Sequence, residues 1–375
     1  MPEGNMDFSG KTKHIRVLGR TKGNEFPLVL FWTGSGVEFN YKGTELWCDF
    51  ESDYSDYEQW IAVYVNEALL SRQMLQKGRQ RVCLFRNLQT PKVNRVKVIK
   101  EVQAMPGDEQ AYLAIRGLQG DGEFCELQEP ACRIEFIGDS ITSGEGSYGS
   151  VTEQDWIAMW FSASRSYPYF VAQQMDAEYR VISQSGYGVY CAYDNNLEHV
   201  IPRYYEQICG VLSGERNEAA GAKELYDFSL WQPDYIVINL GTNDGGAFHN
   251  PEWYDEETGR RNKMYRTPDG LPAKECLEKV RQAVTDFLML VRKHNKNAQI
   301  LWAYGMMGTV VESAIKEGIE KYRSESGDKK VHYLALDEIT GEQIGARSHP
   351  GLNGHRATAE KICEKLCELK GKEEN

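Results

Sequence analysis

From His14 to about Gly122 the apolar residues come in short alternating runs: Ile15, Val17 and Leu18; Val37 and Phe39; Leu46, Cys48 and Phe50; Trp60 to Val65; Val82 and Leu84; Val96 and Val98; Leu113 and Ile115. Alternation of period two puts every second side chain on one face of an extended strand, and its recurrence at such short spacing predicts an all-β sandwich. After Phe124 the rhythm changes. Strand-like runs at Arg133 to Ile137, Tyr179 to Ser183, Tyr235 to Leu240, Gln299 to Tyr304 and Val331 to Leu336 alternate with helical segments at Ser166 to Met175, Leu271 to Asn295, Val310 to Arg323 and Asn353 to Leu369. That order predicts an α/β domain, a parallel sheet covered by helices, with its ligand site at the carboxyl ends of the strands. The expected division is a β-sandwich domain over residues 1–125 and an α/β domain over residues 130–375.

Composition narrows what such a chain does. Its 375 residues are 41% hydrophobic and 26% charged, enough for two globular domains. Lys and Arg number 43 against 55 Asp and Glu, a net charge of -12, which argues against a nucleic-acid partner. The longest charge-free stretch, Asn297 to Val311, is shorter than the roughly 20 apolar residues of a membrane span. No membrane partner is expected. Met1 to Thr21 carries charges and no apolar run of the kind a secretory signal needs, so a cytoplasmic location is expected. Nine scattered cysteines read as reduced thiols, and Cys363 with Cys367 lack further ligands nearby, so no metal site is assigned.

The chemistry concentrates at strand ends. Ser140, in IGDSITSGEG, directly follows the first strand of the α/β domain, where a strand-to-helix turn lifts its hydroxyl to the ligand edge of the sheet. A serine nucleophile needs a base, and the chain has seven histidines. His14 lies in the β-domain, His294 ends a charged helix and His332 begins a strand at the wrong edge. His349, in GARSHPGLNGH between the last strand and the C-terminal helix, is the best placed. Asn243, where Tyr235 to Leu240 runs out into GTNDGG, offers a side-chain amide to a developing oxyanion, and Gly186 in SQSGYG offers an unobstructed backbone N–H.

These four pieces in this order resemble the SGNH or GDSL hydrolases, over residues 132 to 370. The resemblance implies Ser140 as nucleophile, its own N–H with Gly186 and Asn243 as the oxyanion hole, His349 as base, and no cofactor. The segments GRT (Gly19 to Thr21), FWTGSGVEFNYKGT and KEVQAM make the N-terminal region similar to the jelly roll of the family 2 carbohydrate esterases, two-domain enzymes that remove O-acetyl groups from plant polysaccharides. The implied fold is thus an SGNH three-layer domain behind a jelly-roll sandwich, and the implied substrate an acetylated oligosaccharide of mannan or xylan origin. Many SGNH enzymes carry an aspartate three residues before the histidine; here that position is Ala346. A Ser-His dyad is therefore expected, with a backbone carbonyl holding the imidazole and Asp337 as the weaker candidate for a third member. Arg347, beside the base, has no role that the sequence reveals.

Aromatic residues crowd two segments, Gly144 to Pro168 and Gly245 to Pro272, and Trp156, Trp160 and Trp253 are the candidates for walls against sugar rings. Packing of those loops onto the sheet is the alternative. A general SGNH esterase, lipase or thioesterase, and a carbohydrate-binding protein with a degenerate hydrolase domain, are the competing functions. No GxSxG elbow occurs, which disfavours an α/β-hydrolase.

Overall fold

The computed structural model describes residues 14–373, so most of the Met1 to Thr21 stretch lies outside the described residues. The chain divides into two compact units. Of the described residues, one comprises 14–130 with Asp155–Ser164 and Gln207–Tyr226; the other comprises Ala131–Gln154, Arg165–Glu206 and 227–373. The first unit thus takes in two segments beyond the boundary expected from the change of rhythm. Buried polar groups explain why: the fully buried Trp32 indole N–H donates to the Ile208 carbonyl at 2.6 Å, and Asn217 donates to the Ala111 carbonyl at 2.9 Å.

Among the described residues the first unit holds ten strands: β1 (Ile15–Leu18), β2 (Leu28–Val29), β3 (Gly36–Gly43), β4 (Leu46–Asp53), β5 (Trp60–Val65), β6 (Ala68–Met74), β7 (Gly78–Phe85), β8 (Lys92–Lys100), β9 (Tyr112–Gly120) and β10 (Glu123–Cys125). They form antiparallel sheets in the orders β1-β3-β8-β5-β6, with β10 also on β3, and β2-β9-β4-β7. The alternation read from the sequence is the burial pattern: β4 buries Leu46, Cys48, Phe50 and Ser52 and turns the intervening residues outward. Val37, Phe39, Val96 and Val98 of one sheet share a single core with Phe50, Leu113 and Ile115 of the other, a jelly-roll-like sandwich.

The second unit is built on a five-stranded parallel sheet, β11 (Cys132–Gly138), β12 (Ala177–Ser183), β13 (Tyr235–Asn239), β16 (Gln299–Tyr304) and β17 (Val331–Ala335), in the order β12-β11-β13-β16-β17. A small hairpin, β14 (Trp253–Tyr254) with β15 (Arg261–Asn262), lies in the long connection after β13. Every residue of β13 and β16 is buried, as expected where helices cover both faces. The Lys274–His294 helix buries Cys276, Val280, Val284, Phe287, Leu288 and Val291 along one stripe and ends in Arg292, Lys293 and His294, which complement its dipole. It starts three residues later than the sequence pattern suggests, because Pro272 pairs with Arg266 in an isolated bridge. The chain steps from β11 to β12 on one side and later to β13 on the other. The carboxyl end of β11 is therefore a topological switch point, where ligands bind in sheets of this kind.

Candidate active site

The sheet order explains the convergence of the predicted residues. Ser140 follows β11, Gly186 lies beyond β12 and Asn243 beyond β13, so the two strands flanking that of Ser140 carry the two other oxyanion candidates. Ser140 opens a one-turn helix, Ser140–Ser143, capped by the Asp139 side chain, whose Oδ1 accepts from the Ile141 N–H at 3.0 Å, and closed by Gly144 in the left-handed region. As first residue of that turn, Ser140 has a backbone N–H with no intrahelical acceptor. The turn is tied down by Thr142 Oγ1 to the Tyr167 hydroxyl at 2.8 Å and Ser143 Oγ to Ser183 Oγ at 2.7 Å.

His349 reaches Ser140. Its Nε2 lies 2.9 Å from Ser140 Oγ, and its Nδ1 lies 2.9 Å from the carbonyl oxygen of Arg347. A carbonyl only accepts, so Nδ1 carries the proton and Nε2 is left to accept from the serine hydroxyl, the tautomer a general base needs. Arg347 and Ser348 both have positive φ, 55° and 59°, and this folded-back backbone turns the carbonyl toward the ring two residues on. The arginine that had no role in the sequence thus meets the His349 ring through its main chain.

On the oxyanion side, Gly186 sits at φ 82°, and a Cβ there would come within 3.2 Å of the Tyr193 ring. Asn243 is buried; its amide nitrogen donates to the Tyr187 carbonyl at 2.9 Å and lies 3.4 Å from Asp139 Oδ2. Burial pushes the Asp139 carboxyl up to about 8, opposed by the Ile141 N–H and reinforced by the carboxyls of Asp244 and Glu145. The buried Asp244 accepts three backbone N–H groups, from Val189, Tyr190 and Cys191 at 2.8 to 3.0 Å, and so locks the segment that follows Gly186.

Asp337 is not brought to the imidazole. Its side chain is 87% exposed and pairs with Lys361 at 2.8 Å. Trp156 and Trp160 belong to the first unit, where Trp156 packs edge-on against Tyr57 at 4.9 Å and Phe161 at 5.8 Å, the packing alternative for that residue. Trp253 is half-buried on β14 in the second unit, with the Arg260 guanidinium 6.0 Å from its ring. Its loop is pinned by Asn195, whose amide donates to the carbonyls of Ala247, Asn250 and Pro251. Among the described residues no group of three or more His, Cys, Asp or Glu is placed to hold a metal ion, and no helix is long and apolar enough to cross a membrane.

Sequence reasoning passed over Glu145, Asp244 and His355. The aspartate in TNDGG sits beside Asn243 and the glutamate in SGEG five residues after Ser140, which is the signal that could have found the first two. His355 is fully buried, and its Nδ1 accepts the backbone N–H of Tyr167 at 3.2 Å, capping the Tyr167–Gln174 helix. Burial, helped by the charges of His349 and Arg165, lowers its pKa to about 3, whereas an exposed histidine titrates near 6.5. A depressed native value means that stability is complete above about 6.5 and is lost as pH falls toward 3, where only the unfolded chain takes up the proton. Between pH 7 and 4.5 this histidine should cost the fold about 2 to 3 kcal/mol. His355→Asn, which keeps an acceptor but cannot be protonated, should flatten that part of the decline in denaturant melts; parallel pH profiles for both proteins would exclude the effect.

With the site assembled, comparison with known proteins gives a consistent result. Residues 136–357 match the GDSL-like Lipase/Acylhydrolase family. The solved structure of an acetyl xylan esterase, Est2A, from the rumen bacterium Butyrivibrio proteoclasticus superposes with a TM-score of 0.94 and 43% identity, covering 96% of each chain. An acetylxylan esterase / glucomannan deacetylase of Cellvibrio japonicus is 26% identical over 95% of this chain and 89% of its own length. The cellulase/esterase CelE of Acetivibrio thermocellus is 27% identical over 89% of this chain, which spans only 37% of CelE. The chain belongs to the GDSL-like lipase/acylhydrolase family, on the two-domain plan of the family 2 carbohydrate esterases.

Proposed function

We propose that this esterase removes O-acetyl groups from hemicellulose-derived oligosaccharides, of xylan or mannan origin, through a Ser140–His349 dyad and an acetyl-enzyme. The observation that carries the reading is the relay in which Arg347 C=O, His349 and Ser140 Oγ stand in line at 2.9 Å per step. His349 Nε2 takes the hydroxyl proton as Oγ attacks the acetyl carbonyl, and the oxyanion forms against the N–H groups of Ser140, Gly186 and Asn243. The protonated imidazole then gives that proton to the departing sugar oxygen. Water repeats the sequence on the acetyl-enzyme, with His349 again as base, and acetate leaves. The acetyl-carbohydrate substrate is supported by the relatives that act on acetylxylan and glucomannan.

The test is acetate release from acetylated xylan and glucomannan oligomers, set beside p-nitrophenyl esters of increasing chain length. Acetate should be released from the oligomers, and kcat/KM on the acetyl ester should exceed that on octanoate by about tenfold or more, the scale of a pocket sized for a short acyl group. Preference for octanoate with no acetate from the oligomers would replace the proposal with a lipase reading.

A further inference from the structure

A triad carboxylate normally fixes the base; here the ring is held by the carbonyl of a residue whose backbone is itself unfavourable. Left-handed φ at two successive non-glycine residues, Arg347 and Ser348, is sterically unfavourable and persists only where neighbouring contacts hold it. The contacts that hold it come from the turn after the nucleophile. Ala346 N–H donates to the Gly146 carbonyl at 3.0 Å, and Arg347 N–H donates to the Glu153 carbonyl at 2.8 Å. The Arg347 guanidinium donates to the Gln154 carbonyl at 2.7 Å and, through Nε, to the Glu145 carboxylate at 2.8 Å. Gly146 has no side chain for a reason: a Cβ there would lie 2.7 Å from His349 Cβ and 2.4 Å from the Ala346 carbonyl oxygen.

Glu145 is the hub of this arrangement. It is 2% exposed on its side chain, its backbone N–H donates to the Ser140 carbonyl at 3.0 Å, and its second carboxylate oxygen accepts from Ser185 Oγ at 2.6 Å, next to Gly186. It also stands 3.8 Å from His349 Nε2, too far to hydrogen-bond. One buried side chain thus links the nucleophile turn, the oxyanion segment and the loop of the base.

We infer that Glu145 is a positioning residue that does, through Arg347, what the missing triad aspartate does directly: its ion pair holds the folded-back loop so that the Arg347 carbonyl faces His349 Nδ1. The inference rests on the dyad proposed above. Glu145→Gln keeps the shape and loses the charge; Arg347→Ala keeps the carbonyl and loses the anchor. Each should lower kcat on p-nitrophenyl acetate by roughly 10- to 100-fold with KM within about threefold, the scale of a reacting group displaced by an ångström. Because both act by one route, the double variant should be no slower than the slower single one. Arg347→Gly should be several-fold faster than Arg347→Ala, since glycine takes the left-handed backbone without strain, a rescue that a purely stabilising ion pair would not show.

Unchanged kcat in Glu145→Gln, or losses that multiply in the double variant, would overturn the inference. The dyad reading fails by a different sign. If Asp337→Asn costs about 10,000-fold, the scale of an amidated triad aspartate, a carboxylate partner exists and the dyad is wrong, whatever Glu145 does.

Discussion

Replacing Ser140 with alanine should lower kcat for acetyl-ester hydrolysis by roughly four to six orders of magnitude and leave the melting temperature within a degree or two of the parent. In the proposed mechanism the hydroxyl attacks, and its hydrogen bond to His349 Nε2 is the contact that would make it nucleophilic. Little else is lost, because the Ser140–Ser143 turn is held by Asp139, Thr142 and Ser143 rather than by Ser140. His349→Ala should be as damaging, and the double variant no worse than either, since nucleophile and base act as one unit. Near-normal turnover in Ser140→Ala would end the serine-esterase reading.

The second large effect belongs to Asn243. Its amide has two N–H groups: one is fixed on the Tyr187 carbonyl at 2.9 Å, while the contact to Asp139 at 3.4 Å is long and weak. A donor held by one strong bond at a buried strand end, with its other bond easily given up, suits a charge that appears only in the transition state. Asn243→Ala should therefore slow kcat by roughly 100- to 1,000-fold with a much smaller change in KM. A loss confined to KM would make Asn243 a residue that binds substrate.

How much of this was legible in the sequence depends on the range of the interaction concerned. Strands such as Gln299–Tyr304 were readable because a buried parallel strand is a continuous apolar run, whose composition is local information. Ser140, Gly186 and Asn243 were readable because each follows a strand end, and strand ends in a parallel sheet share one edge; His349 lies farther on, in the loop between β17 and the C-terminal helix. The helix of Val310 to Arg323 was displaced, to Glu312–Ser326, because its true stop is Gly327 in the left-handed region, a matter of backbone conformation. The role of Arg347 was hidden for a deeper reason. It depends on a positive φ that arginine rarely adopts and on a glutamate 202 positions away, and neither leaves a trace in local pattern. Asp337 shows the converse. A carboxylate twelve residues before the base looked available, yet its partner is Lys361 on the C-terminal helix. Trp156 looked like a platform for sugar rings, and its packing against Tyr57 could not be foreseen from a sequence position about a hundred residues distant.

In the proposed mechanism the acetyl group passes through Ser140. Rapid quenching of the full chain during turnover of p-nitrophenyl acetate, followed by proteolysis and mass spectrometry, tests it directly. An acetyl group is expected on the peptide that contains Ser140, absent when that serine is replaced by alanine and discharged by water in the parent protein. Full turnover with no acetylated peptide, or acetyl carried on a different residue, would contradict it.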